Sequence, residues 1–228
     1  MIKVENLSRK FNSNIVLENI NFLIEKGELS VIYGRNGAGK TTLIKCLTGL
    51  LKPNTGTIKL LPNNKEKIGL YLGHEMLIDK LTAKEYIFLA GKLKGLTNNE
   101  IESKLTELSQ TLDFETHLNK LISKISFGTK SKVLLATSII NDPEILIMDE
   151  PFIGLDLIAI KEVVNLLSNL KEKGCTLFIS SNQVDILENF TDKILILKNQ
   201  TIIYEKKTNA LNIESIDQLS DLVLSYLE

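Results

Sequence analysis

The stretch that most constrains this chain is GRNGAGKTT, residues 34–42. An apolar run, LSVIY, precedes it and the helix-compatible TTLIKCLTGLL runs out of it. Strand, glycine-rich turn and helix N-terminus are the setting that a phosphate-binding loop requires. The match to G-x-x-x-x-G-K-[ST] is complete, with Gly34, Gly39, Lys40 and Thr41 at the fixed positions. Gly34, Gly37 and Gly39 let the backbone turn its N–H groups inward, where they and the positive end of the helix form a nest for phosphate oxygens. Asn36 and Thr42 complete the loop and count among its nucleotide-binding residues. Lys40 is placed to reach the β- and γ-phosphates, and the Thr41 hydroxyl to ligate Mg²⁺. A glycine turn that happens to carry a lysine does not account for the strand before it and the helix after it. The loop reads as a nucleoside triphosphate site.

The remaining composition narrows the partners. At 228 residues the chain can bury one sizeable core, or one core with a small lobe. A formal net charge of -1 gives no broad electrostatic footprint for nucleic acid, so no nucleic-acid partner is expected. Cys46 and Cys175 lie far apart in predicted buried elements, which suggests a reducing compartment and no disulfide framework. No run of eighteen apolar residues occurs, so no membrane span is expected. MIKVENLSRKF starts a strand directly, leaving no room for a signal peptide.

Along the chain, IKVENL and INFLIEKGE alternate apolar and polar residues as half-buried antiparallel strands do, flanking an expected loop over 9–14. Phe11 is a lone aromatic in that loop, open to two readings: strand-end packing or a platform for a nucleobase. TGTIKLL is a further strand, PNNKEK a turn, and residues 67–72 another strand followed at once by Gly73, His74 and Glu75. From 82 to about 118 the pattern turns helical, with Asn98 or Asn99 as the expected cap of the second helix. A block of helices between strand-rich halves reads as an inserted subdomain over about 75–142, within one domain spanning 1–228. Ile87, Phe88, Leu89 and Leu93 leave apolar area beyond one stripe, for double packing or for a partner.

ISFGTKSKVLLATSII is a glycine turn feeding a helix, and NDPEILIMDEP follows it. Four apolar residues, 145–148, form a buried strand that ends in Asp149 and Glu150. A parallel strand delivering an acid beside a phosphate loop is where a Mg²⁺ ligand belongs, so Asp149 is expected to hold the cation and Glu150 to polarise the attacking water. The rest alternates: helix 157–172, strand 176–180, helix 184–190, strands 193–197 and 200–204, and a short helix near 219–227. The fold class is therefore α/β, a P-loop core with a mostly parallel central sheet, N-terminal antiparallel strands and the helical insertion.

In order, the chain carries a phosphate loop, a polar residue after a strand, a helical insertion, an S-x-G helix start, a D-E strand end and G-L-D at 154–156. Over roughly residues 1–206 this resembles the ATP-binding cassette ATPases, the nucleotide-binding subunits of ABC transporters. ISFGTKSK looks like the family signature, usually LSGGQ, which binds the γ-phosphate held by the other subunit of a head-to-tail dimer. The resemblance implies that Ser126 and Gly128 contact phosphate. It likewise implies that Glu150 is catalytic, that 149–156 forms the Mg²⁺-site strand end and dimer-contact loop, and that Phe11 stacks on adenine.

Two positions depart from the family pattern, and the signature is imperfect, with Phe127 and Thr129 in place of Gly and Gln. His74 stands where a glutamine usually contacts Mg²⁺ and the water and relays to the membrane partner, which implies catalytic and metal roles for it. Asn182 stands where a histidine usually bonds the γ-phosphate. Its amide still donates a hydrogen bond but has no titratable proton, so ATP binding is expected to be intact and turnover slow. The resemblance implies ATP and Mg²⁺ as cofactors, a second nucleotide-binding subunit, a separate transmembrane subunit, and a cytoplasmic place at the membrane through that partner. The likeness of YLGHEMLIDKLTAKEYIFLAGKLKGL points to the drug, bacteriocin and haem exporters. The alternatives are a cassette partner with weak or no hydrolysis, and a soluble cassette ATPase without a transport role.

Overall fold

The computed structural model describes residues 1–61, 67–187, 190–210 and 216–227; the turn expected at PNNKEK falls mostly outside them. In chain order the elements are β1 (Ile2–Phe11), β2 (Asn14–Ile24), β3 (Leu29–Tyr33), α1 (Lys40–Leu47), β4 (Thr55–Leu60) and β5 (Ile68–Tyr71). Then come α2 (Ala83–Leu93), α3 (Asn98–Thr111), α4 (Phe127–Ile139), β6 (Ile145–Asp149), α5 (Leu157–Glu172), β7 (Thr176–Ser181), β8 (Lys193–Lys198), β9 (Thr201–Lys207) and α6 (Ile216–Leu227).

Two sheets form. The smaller is antiparallel, ordered β2-β1-β4, and the larger is ordered β5-β6-β7-β3-β8-β9. In the larger sheet every pairing is parallel except that of β8 with β9. Its inner strands are buried on both faces, which is why they read as unbroken apolar runs. Alternation still sorts their side chains. Ile32, Ile145, Ile147 and Phe178 face α1 and the small sheet, and Phe22 of β2 stacks on Phe178 with centroids 5.6 Å apart. Val31, Tyr33, Leu146, Met148 and Leu177 face the other way, toward the core shared with α2, α3, α4 and α5.

Between β5 and β6 the described chain is helical. Thr82 and Thr97 each accept a hydrogen bond from the N–H three residues on, and Glu85 and Glu100 reach back to close capping boxes. The cap of α3 is thus Thr97, not Asn98 or Asn99: TNNE supplies both halves of the box, which an asparagine start does not. Ile87 is fully buried, whereas Leu89 and Leu93 are exposed.

Two other expectations are corrected. Residues 9–14 are no open loop, because β1 and β2 run to a tight hairpin in which Phe11 pairs with Asn14. Asn12 takes a left-handed φ of 53°, which asparagine tolerates and which suits a two-residue hairpin turn. The expected helix over 184–190 appears as turns among its described residues. Ser181 Oγ bonds both the N–H and the carbonyl of Gln183, closing a tight turn where the segment starts, and the Leu187 carbonyl accepts from the N–H and hydroxyl of Thr191.

The helix α4 lies directly on β5, and Gly69 sets that distance. A methyl group at this position would lie 2.4 Å from the Ser138 carbonyl oxygen and 2.9 Å from Leu146 Cδ1. Gly69→Ala is expected to destabilise the chain by about 1–3 kcal/mol through overpacking, read as a lower thermal midpoint. An unchanged midpoint would contradict this close approach.

Candidate functional site

β3 lies between β7 and β8, and its last residue, Tyr33, delivers the chain into the loop of 34–39. The glycines are required by sterics. A methyl group on Gly34 would sit 2.8 Å from the Leu197 carbonyl of β8, and one on Gly39 2.9 Å from the Val16 carbonyl of β2. Gly39 also has a φ of 111°, a conformation an L side chain rarely adopts. The loop closes through Ala38 N–H to the Arg35 carbonyl (3.0 Å), and α1 begins with Leu43 N–H to the Gly39 carbonyl (2.9 Å). Lys40 is buried and donates from Nζ to the Gly34 carbonyl at 2.6 Å.

The same ammonium lies 3.1 Å from Glu150 Oε1, joining the loop to the end of β6. Parallel register explains the meeting: Tyr33 pairs with Ser181 and Asp149 with Ser180, so three strands end side by side. The Ser180 hydroxyl donates to Asp149 Oδ1 at 2.5 Å and accepts from the Glu150 N–H at 3.0 Å. Glu150 itself has a φ of 47°, the left-handed region, so the chain turns sharply at the carboxylate. Asn182 donates its main-chain N–H to Glu150 Oε2 at 3.1 Å. A pocket of about 400 Å³ results, lined by Val16, by 35–37 and 39–42 of the loop, and by Glu150, Ile153 and Asn182. Its lining of inward-turned loop backbone, one lysine and hydroxyls suits a triphosphate chain.

The remaining sequence candidates sit elsewhere. Phe11 is half-exposed at the end of β1, with the Arg9 guanidinium 4.5 Å above its ring, and it does not line this pocket. Ser126 caps α4, accepting from the Thr129 N–H at 3.1 Å, and Gly128 backs onto the Gly154–Leu155 turn; neither lines the pocket. His74 is not brought together with Thr41, Asp149 or Asn182. Its Nε2 meets Ser131 Oγ of α4 at 2.8 Å and its ring packs on Phe127. Burial, with a smaller push from the Lys130 charge, holds its pKa below the ordinary histidine value. A position three residues after a strand end says nothing about which way the ring turns, and α4 offers it a hydroxyl.

The donor set fits a hard cation such as Mg²⁺. The described residues contain no cluster of three or more His, Cys, Asp or Glu that could cage a metal. A carboxylate on Asp149 and a hydroxyl on Thr41 are nonetheless the sparse oxygen set that Mg²⁺ uses beside substrate phosphates. His74 bonds Ser131 of α4 and does not line this pocket.

Residues 17–153 match the family described as ABC transporter. The chain belongs to the ABC transporter family. Among similar proteins, ABC transporter ATP-binding protein NatA of Bacillus subtilis (strain 168) is 31% identical over 224 residues, covering 92% of this chain and 91% of NatA. Bacitracin transport ATP-binding protein BcrA of Bacillus licheniformis is 33% identical over 236 residues, covering 97% of this chain and 76% of BcrA. A dimeric ATP-binding cassette in a post-hydrolysis state, bound to ADP and Pi, superposes with a TM-score of 0.84 at 25% identity, covering 92% of this chain and 100% of that one. This ABC ATPase thus has the architecture of the cassettes it resembles.

Sequence reasoning missed Ser180, which holds both acidic residues at the end of β6; its signal was the pair Ser180-Ser181 ending β7 just before Asn182. It also missed Leu224 and Leu227 of α6, which flank a cleft shared with Gly34, Arg35, Asn36 and Asn182. The tail's amphipathic pattern gives no hint of where it docks.

Lys40→Ala is expected to weaken MgATP binding about 10- to 100-fold, the loss of charge-assisted bonds to phosphate, with the fold retained by circular dichroism. Binding within twofold of wild type in a fluorescence titration with a labelled ATP analogue would contradict the assignment of this loop.

Proposed function

We propose that this ABC ATPase binds MgATP between its phosphate loop and the ends of β6 and β7, and hydrolyses it there to drive a separate transmembrane exporter subunit. The observation that carries the reading is the meeting of Lys40, Asp149, Glu150 and Asn182 at one set of parallel strand ends. The loop amides bind and orient the phosphates, and Lys40 exchanges its Glu150 contact for phosphate oxygens. Glu150 then has a carboxylate oxygen to accept a proton from the attacking water. The water oxygen bonds to the terminal phosphorus as the bond to the bridging oxygen breaks, giving ADP and inorganic phosphate. Thr41 and Asp149 would hold Mg²⁺, which neutralises charge on the phosphates when bound. Asn182 is read as donating its side-chain amide toward the terminal phosphate, and Phe11 as the base-stacking aromatic.

Ser126 and Gly128 fit the pocket of a second copy in a head-to-tail pair. Supporting this are their absence from their own chain's pocket lining and the dimeric cassette that the chain resembles. The exporter role is supported by likeness to a bacitracin transport ATP-binding protein. Among the described residues no helix is long and apolar enough to cross a membrane, so the membrane path is assigned to another chain, with this one on its cytoplasmic side. The helical segment between β5 and β6 is read as the subdomain of 75–142 that meets it, and its exposed Met76, Ile78, Leu89 and Leu93 suit a partner.

Glu150→Gln is expected to stop hydrolysis while keeping MgATP binding, and to accumulate an ATP-bound dimer on size-exclusion chromatography. Turnover at the wild-type rate would sink Glu150 as the base. Asn182→His is expected to raise kcat about 3- to 30-fold at nearly unchanged nucleotide affinity, since a full transition-state donor is worth on the order of 100-fold. Steady-state kinetics showing no gain would mean the asparagine already supplies what this site uses.

A further inference from the structure

Two residues that depart from the family pattern, His74 and Phe127, touch each other. Their ring centroids are 3.8 Å apart at an interplanar angle of 59°. His74 is held from its other side by Ser131, one turn along α4, whose hydroxyl also reaches the Phe127 carbonyl at 3.3 Å. The Phe127 ring lies equally close to the turn at Gly154. A methyl group on Gly154 would fall 2.3 Å from Phe127 Cδ1 and 2.4 Å from Cε1, and Gly154 has a φ of 74°. Only a glycine lets the ring and the backbone approach in this way.

Phe127 therefore wedges three elements together: the segment after β5, the start of α4, and the loop of 150–156. That loop hangs from Glu150, where Ser180 fixes its near end through the Glu150 N–H. Inside the loop, Ile153 N–H reaches the Glu150 carbonyl at 3.4 Å and Leu155 N–H the Phe152 carbonyl at 3.3 Å. These are long, weak bonds. Phe152 anchors the middle of the loop in the core and Leu155 packs against that core; beyond them the turn at Gly154 is met by the Phe127 ring, and the Asp156 side chain caps α5 through the Ala159 N–H at 2.8 Å. A glycine at position 127 would remove the ring contact and leave the turn at Gly154 without a side-chain neighbour on that face. Phe127 remains 51% exposed, more than burial of an aromatic for core stability would leave.

We propose that Phe127 is a positioning residue for hydrolysis: its ring, wedged between His74 and Gly154, holds the loop of 150–156 so that Glu150 stays aimed into the nucleotide pocket. The inference rests on the reading of Glu150 as the base. Phe127 does not line its own chain's pocket, so an effect through Glu150 of the same chain falls on kcat, whereas a contact with nucleotide held by a second copy falls on KM. A displacement of about 1 Å at a reacting group costs on the order of 100-fold in rate.

The test is steady-state ATPase kinetics on the full chain for Phe127→Ala, Phe127→Tyr, Gly154→Ala and the double variant Phe127→Ala/Gly154→Ala, with ¹H NMR of the imidazoles. Only two histidines occur, so His74→Ala assigns the His74 signals. Phe127→Ala is expected to lower kcat about 10- to 100-fold with KM within twofold, and to shift the His74 ring protons as the aromatic neighbour is lost. Phe127→Tyr keeps the ring and is expected to restore both. The Gly154→Ala loss is expected to shrink when combined with Phe127→Ala, since the methyl then has room. A Phe127→Ala enzyme with shifted His74 signals and wild-type kcat overturns the inference, as does a rise in KM alone, which would make Phe127 a nucleotide contact. Losses that simply add in the double variant overturn it too. Hydrolysis by Glu150→Gln at the wild-type rate would instead show that the reading of Glu150 had failed.

Discussion

The site depends on the parallel register of β3, β7 and β6. Because Tyr33 pairs with Ser181 and Asp149 with Ser180, the three strands release their chains at one level of the sheet. The phosphate loop, Asn182 and the two acids then emerge as neighbours without any of them having to reach. The price of this arrangement is visible in the backbone. Gly34 and Gly39 leave no room for a side chain, and Glu150 adopts a left-handed φ of 47°. A residue held in such a conformation persists only where its surroundings over-determine it, and here Ser180, Asn182 and Lys40 all hold Glu150.

The Lys40–Glu150 contact has a consequence for binding. The lysine is not a free charge waiting in solvent. It is buried, satisfied by the Gly34 carbonyl and by the carboxylate. Phosphate must offer it more than those partners do. A lysine suits this exchange better than an arginine, because its compact ammonium can rotate between acceptors without losing a planar fork.

What the sequence made legible was whatever is set by local spacing. The glycine-rich loop has glycines where a positive φ or a close backbone approach demands them, and an apolar run ending in two acids has one sensible place in an α/β sheet. TAKE and TNNE are complete capping boxes, although the two asparagines of the second compete with Thr97 as apparent caps. Where the structure departs from local pattern, the deciding feature is a backbone tolerance, a side-chain hydrogen bond or a partner distant in sequence, none of which periodicity registers. The 9–14 hairpin turns on the tolerance of Asn12 for a positive φ. The 184–190 segment opens on a turn that the Ser181 hydroxyl closes with Gln183. His74 turns toward Ser131, 57 residues away, and no local pattern announces that bond.

The central claim is that one pocket at the ends of β3, β6 and β7 takes the nucleotide, and hydrogen–deuterium exchange with and without MgATP tests it most directly. The account predicts slowed exchange over 34–43 and over 149–154 at all protein concentrations. It predicts added protection over 126–130 only at concentrations where the chain pairs with a second copy. Protection that spares the 34–43 amides, or that falls instead on the helices between β5 and β6, would contradict it.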